Sequence, residues 1–349
     1  MQQDGWDQPT PPGVRPVKGL PVWRWIITAI VVVGLSAAAV FVPIPIVYLY
    51  LPGPVRDAED LIEITDEETF SSEGSLYMTT VSVDTSVSFV EFVIAGIDST
   101  QEVIMKDDLT GGRPLSELRV EQEAEMDESQ ESARQVALSE LGLDQPTGEG
   151  AKVVTTITGA PADGVLQPDD VIIAIDGQRT DTTCEVGRLI DSHGTGDQIE
   201  VTVERGGREL SFDLETTTHP VDGSPAFIGV QMETVNFSFR PGVSVDFKTG
   251  QIAGPSAGLM LALALYDRLT PDDLTGGREI AGTGTLACDG SVGPIGGIQQ
   301  KVAGARAEGA DIFLAPAGNY EEALEVAAGI DIVSIRTFDD AIDYLGTSE

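Results

Sequence analysis

Residues 251–266 read QIAGPSAGLMLALALY. A polar loop gives way to the tight unit Gly254-Pro255-Ser256-Ala257-Gly258, and an unbroken apolar run follows. The stretch is a loop feeding the N-terminus of a buried helix, which Thr270-Pro271 ends. A strand-like VSVDF (243–247) precedes it, and IFLAP (312–316), a helix capped at Asn319, IDIVSI (330–335) and a final helix from about 337 to 345 follow. Strand and helix alternate, which predicts a mixed α/β layer structure for residues 225–346.

A serine that opens a helix is ordinarily its N-cap. Here the flanking glycines also permit close approach of another backbone, and a helix N-terminus offers N–H donors to a developing oxyanion. Such a serine needs a base. The two histidines, His193 and His219, both precede it in other segments, and no Gly-x-Ser-x-Gly elbow is present. The other option is a lysine made neutral by burial. Of five lysines, Lys18, Lys106 and Lys152 precede the C-terminal part, leaving Lys248 and Lys301. Lys301 lies in GPIGGIQQKVAGARAEG (293–309), a helix whose apolar stripe is Ile298, Val302 and Ala305. It falls about 60° from Ile298, on the flank of that stripe. A lysine placed for solubility would sit nearer Gln300, although a snorkelling surface lysine is the competing reading.

The bulk properties bound the rest. With 57 acidic against 20 basic residues, the formal net charge is −37, which repels polyanions and excludes nucleic acid as a partner. Cys184 and Cys288 are the only cysteines. They fall in different domains, so no structural disulfide is expected, and no metal-ligand spacing exists. Neither a metal nor another cofactor is implied. Residues 1–22 form a Pro-rich tail. From Trp25 to Pro54 there is no charge, and WIITAIVVVGLSAAAVFV (25–42) reads as one membrane helix within an anchor at 23–50. Arg15, Lys18 and Arg24 before it favour a cytoplasmic N-terminus and an extracytoplasmic remainder at the cell membrane. A cleaved signal peptide is the competing reading. Residues 51–140 form an N-terminal region with a strand in SLYMTTVSVD (75–84) and one or two acidic helices in 114–141, their charged faces solvated.

Residues 141–218 are β-rich with one helix near 182–192, and the segment GAPADGVLQPDDVIIAIDGQ (159–178) resembles the core of a bacterial PDZ domain. Such modules add an extended peptide to a sheet edge beside a helix. The resemblance implies that the loop at Gly148 to Ala151 faces the peptide carboxylate, with Gly150, Ala151 and Lys152 in the groove and with the strand 152–157 and the helix near 182–192 as its walls. The competing reading is a small β domain that only spaces other parts.

GPSAG, followed 45 residues later by the lysine of PIGGIQQK with Thr283-Gly284-Thr285-Leu286 between, resembles the proteolytic domain of the Lon family of serine proteases. That resemblance implies Ser256 as nucleophile, Lys301 as general base, Thr283 holding the lysine, and oxyanion donors at the loop residues Gly254 and Ala257. It also implies a homo-oligomeric ring, a hexamer. Ala253 stands where Lon relatives often carry an acid. No lysine sits in a Gly-x4-Gly-Lys-Ser/Thr loop, so ATP hydrolysis is not expected to drive the reaction. Anchor, PDZ unit and proteolytic domain together resemble the membrane-anchored Lon-like proteases of Gram-positive bacteria, the YlbL type. The expectation is an α+β chain with an N-terminal transmembrane helix, acting as an ATP-independent endopeptidase on protein or peptide substrates selected by the PDZ domain. The alternative is a PDZ-based scaffold with a catalytically silent terminal domain.

Overall fold

The structure, a computed structural model, describes residues 21–346 apart from 66, 144–145, 220–225, 240–241 and 251, and apart from the side chains at 38, 39 and 41. The expected tail therefore lies outside the described residues as far as residue 20.

A five-stranded sheet organises the C-terminal half, in the order Asp331–Ile335, Ile312–Pro316, Glu279–Gly282, Ser75–Met78 and Arg56–Asp57. The first four strands are parallel and the last is antiparallel. Successive residues of a strand face opposite sides of a sheet, and this sheet is covered on both. Ile280, Ile312 and Leu314 face the helix Gly258–Leu269, which is apolar almost all round and buries Leu259, Leu261, Leu263 and Leu265. Each such leucine contributes about 1.5–3 kcal/mol to folding. Ala281, Phe313 and Ala315 face the other way, onto Ile298, Val302 and Ala305 of the helix Ile298–Glu308. The helices that follow Ser256 and carry Lys301 thus lie on opposite faces of one sheet.

Two strands of that sheet come from residues 51–140, which the sequence reading set apart as an N-terminal region. SLYMTTVSVD is two strands, not one. Ser75–Met78 enters this sheet, whereas Val81–Asp84 is an end strand of another sheet, pairing among the described residues only with Val47–Pro52, which in turn pairs with Glu102–Met105. The acidic stretch forms a single helix, Leu115–Glu140. It is more than a solvated face: Met126, Ala133, Val136, Ala137 and Leu138 are buried in the same core as the serine helix.

The chain then leaves to build a second sheet domain and returns. Thr147 and Ser238, on the outgoing and incoming passages, exchange backbone hydrogen bonds at 2.9 Å. The inserted sheet runs Glu209–Glu215, Gln198–Glu204, Val171–Ile175, Ala151–Thr156, Val230–Thr234, with antiparallel neighbours, and the helix Thr183–Asp191 lies beside it. Contrary to expectation, Cys184 and Cys288 form a disulfide. The two cysteines do belong to different sheets, but the domains pack together there, with the Asp289 carboxylate 2.6 Å from where a side chain on Gly187 would begin. Membership of separate domains does not keep two side chains apart when the domains share a contact.

The helix Val22–Phe41 occupies only the first part of the anchor expected at 23–50 and exposes Trp25, Ile26, Ile30, Val33 and Leu35, whereas the last residues of that range enter the strand Val47–Pro52, with Val47 and Leu49 buried. Among the described residues no helix is long and apolar enough to cross a membrane.

Candidate active site

Ser256 stands at the end of the sheet where the parallel strands finish. Gly254 adopts φ +94°, open to glycine, and Pro255 starts a turn of 3-10 helix, Pro255–Ala257, that continues into Gly258–Leu269. Gly258 is required by proximity, because a Cβ there would lie 2.9 Å from the Leu286 side chain and 3.0 Å from Ser129 Oγ. The loop is also tied from outside. Gln122 and Ser129 of the long helix hold it, the Gln122 carbonyl accepting from the Gly254 N–H at 2.9 Å and the Ser129 hydroxyl donating to the Pro255 carbonyl at 3.0 Å. The Ser256 carbonyl accepts from the Gly284 N–H at 2.9 Å and from the Thr283 hydroxyl at 3.0 Å.

Lys301 reaches Ser256 from the opposite face of the sheet. Its Nζ lies 2.7 Å from Ser256 Oγ and 2.8 Å from Thr283 Oγ1, and its residue is only 3% exposed. Burial holds the amine down to about 7 from the ordinary 10.5. Among the described residues lining the surrounding cleft there is no Asp or Glu to raise it again. Thr283 is fully buried directly after the strand Glu279–Gly282, so the sheet fixes it. The neutral amine can keep one N–H on Thr283 and turn its lone pair to the serine hydroxyl. Gln300, the position expected for a solubility lysine, is itself buried at 1% exposure.

The cleft has a volume of about 970 Å³. On one side it is lined by Val81, Ser82 and Val83, from a strand whose other edge is the paired one. Thr79, whose hydroxyl donates to the Gly282 carbonyl at 3.0 Å, lines it as well. The sequence shows Val81–Asp84 as part of a strand but does not place it at the site, and it does not single out Gln122 or Ser129. The apolar and small residues at 126, 129, 133 and 136, a helical face, were the signal available.

Two expected groups stand elsewhere. The Gly254 N–H is spent on Gln122, so it is not free for an oxyanion; Ala257, buried in the first helical turn, keeps a position beside Ser256. The expected peptide edge at Gly150, Ala151 and Lys152 is occupied. Ala151 and Lys152 pair with Ile172 and Val171 on one side and with Thr234 and Glu233 on the other. The Gly150 N–H donates to Asp181 and its carbonyl accepts from Val235, both at 2.9 Å. A strand paired on both sides cannot take a third. The end strand on this side is Val230–Thr234, which touches the helix Thr183–Asp191 through Thr234 Oγ1, 3.0 Å from both the N–H and the hydroxyl of Thr183.

His193 is bonded to Asp176 at 3.0 Å and to the Leu189 carbonyl at 2.9 Å, and His219 stacks edge-on against Phe227; neither lines the cleft. Among the described residues no group of His, Cys, Asp and Glu could hold a metal ion.

Comparison with known proteins finds two families along the chain. Residues 123–216 match the PDZ domain family, and residues 238–345 match the C-terminal proteolytic domain of Lon protease (S16). The chain is 31% identical to Lon protease 2 of Bacillus subtilis over 113 residues, covering 32% of this chain and 18% of that protein. It is 37% identical to Lon protease 1 of Sorangium cellulosum over 154 residues, covering 42% of this chain and 17% of that protein. Among solved structures it resembles the PDZ domain of the SdrC-like protein from Listeria monocytogenes, at 28% identity and a TM-score of 0.23, covering 25% of this chain and 90% of that one. The chain carries a PDZ domain and a Lon-type proteolytic domain, and spans less than a fifth of the length of these two curated relatives.

Proposed function

We propose that this chain is a membrane-anchored, ATP-independent serine endopeptidase in which Ser256 and Lys301 form a catalytic dyad. The observation that carries the reading is the 2.7 Å contact between Lys301 Nζ and Ser256 Oγ, made by an amine that burial holds at about 7. Lys301 Nζ takes the hydroxyl proton as Ser256 Oγ attacks the scissile carbonyl. The resulting oxyanion is stabilised by N–H groups of the first helical turn, those of Ser256 and Ala257. The ammonium then gives its proton to the leaving amine, the C–N bond breaks, and water hydrolyses the serine ester with the same lysine as base. Thr283 acts as a positioning residue for the amine. An extended substrate adds to the unpaired edge of Val81–Asp84 beside the serine.

Substrate selection falls to the PDZ domain, with an extended peptide added to the outer edge of Val230–Thr234 rather than near Gly150. The apolar helix Val22–Phe41 supplies the anchor, its exposed tryptophans and aliphatic residues supporting that assignment. The homo-hexameric ring implied by resemblance belongs to the same proposal. The test is casein cleavage by the purified full chain in detergent without nucleotide. Cleavage is expected, and the Ser256→Ala form should lack it while still binding peptide. A mutant as active as the parent would remove Ser256 from the mechanism, and an inactive parent that still binds peptides would favour the scaffold reading.

A further inference from the structure

The surface of the cleft is unlike the rest of the molecule in charge. Acidic residues number 57 of 349, about one in six, yet no described residue lining the cleft is Asp or Glu, while Arg56, Lys248 and Lys301 all line it. These three cations are not equivalent. Lys301 is engaged by Ser256 and Thr283. Lys248 is neutralised by the Asp246 carboxylate and by Glu63 at 3.5 Å. Arg56 is exposed, and among the described residues its side chain has no hydrogen-bond or ion-pair partner.

Its backbone is nevertheless fixed. Arg56 lies opposite Met78 at the edge of the five-stranded sheet, one residue from Asp57. Asp57 belongs to the other face of the strand, and its carboxylate accepts from the Glu59 N–H at 3.1 Å. A guanidinium with five donors, held at the rim of an acid-free cleft and left unanswered by its own protein, is a site for a carboxylate brought by something else.

We infer that the cleft selects polypeptide segments that carry an acidic side chain close to the scissile bond, with Arg56 as the specificity-determining residue that pairs with it. This rests on the peptidase reading above. The overall charge of −37 opposes the approach of such segments, but screening decides between the two effects. At physiological salt the diffuse field fades beyond about 8 Å, whereas a carboxylate seated in the cleft touches Arg56 directly. The whole molecule then lowers the rate of encounter, and the cleft sets the preference among segments already engaged.

The experiment uses the full chain in detergent and quenched peptides identical except that Glu replaces Gln at one position, walked along both sides of the cleaved bond. At one position the Glu peptide should have a kcat/KM about tenfold above its Gln partner, the gain of one charge-assisted hydrogen bond. That ratio should fall as salt is raised, approach one in Arg56→Gln, recover in Arg56→Lys and turn in favour of a Lys peptide in Arg56→Glu. A ratio near one at every position, or a ratio that survives in Arg56→Gln, overturns the inference and leaves the peptidase intact. If the parent cleaves none of the peptides, the peptidase reading fails instead. The inference is then read from the affinities of the Ser256→Ala form for the same pairs, where equal binding of Glu and Gln peptides sinks it.

Discussion

A charged ammonium cannot accept a proton, so in the proposed reaction the state of one nitrogen governs the rate. Lys301 has about 7 as its folded value against 10.5 ordinarily, the whole displacement coming from burial. Activity should therefore rise with pH through about 7 and level off above it, because the deprotonated amine is the base. A kcat/KM profile for a neutral peptide checks this, and a profile flat across that range would contradict it. Replacing Lys301 by Met should remove activity at every pH, a loss of about a thousandfold or more. Thr283 is a subtler case, since it accepts from Nζ and donates to the Ser256 carbonyl. Thr283→Val should lower kcat about tenfold or more by letting the amine turn away, with KM little changed. Thr283→Ser, which keeps both bonds, should restore it. A rise in KM alone would mean that the threonine shapes the cleft and does not orient the base.

The helix that begins at Ser256 ends on an unusual contact. Near its C-terminus Asp267, 3% exposed, and Glu59 both hydrogen-bond to the Ser72 hydroxyl. One hydroxyl has one proton to give, so the second bond requires a protonated carboxyl. Burial raises both acids, Glu59 from 4.5 to about 7. A folded value above the unfolded one means that the native state binds the proton more tightly. The contribution is complete below the ordinary carboxylate value and is lost as pH rises through about 7. Urea midpoints should accordingly fall as pH is raised from 4.5 to about 7, and Glu59→Gln should flatten that slope. Lys301 acts in the opposite sense above this window, where stability should rise with pH from about 7 toward 10.5. A slope unchanged by Glu59→Gln would place the titration elsewhere. Contacts of this kind also mark what was legible in the sequence. Ser256 and Lys301 could be singled out because each carries its chemistry in its own few residues, Thr283 only because its stretch resembles the Lon family, and the three meet in the fold. That Ser75–Met78 pairs in parallel with Glu279–Gly282, two hundred residues on, leaves no local trace. Strand periodicity likewise does not say which strand is central and which is at the edge. Ala151–Thr156 and Val230–Thr234 look alike as strings, so the sequence does not tell the strand that begins paired on both sides from the end strand.

The inserted PDZ domain is joined to the proteolytic domain by two chain passages and by the disulfide between Cys184 and Cys288, which closes a separation of 104 residues. Cys184 stands in the first turn of the helix beside the end strand Val230–Thr234, and Cys288 follows the hairpin strand Thr285–Leu286, whose Thr285 lines the cleft at Ser256. The bond therefore connects the wall of one proposed binding site to the wall of the other. Such bonds persist in oxidising surroundings. Since a loop of this size loses much freedom when closed, replacing both cysteines by serine should cost about 2–4 kcal/mol in chemical unfolding. The same change leaves the Thr147–Ser238 pairing in place, so the PDZ domain should stay attached but swing. Small-angle scattering should then report a larger radius of gyration for the double serine form, and amide exchange should quicken on residues 285–293. Casein cleavage should weaken in parallel while Ser256-directed labelling persists, because the dyad itself makes no contact with either sulfur. If stability and scattering were both unaltered, the packing around Gly187 and Asp289 alone would be holding the domains, and the disulfide would have no part in relating groove to cleft.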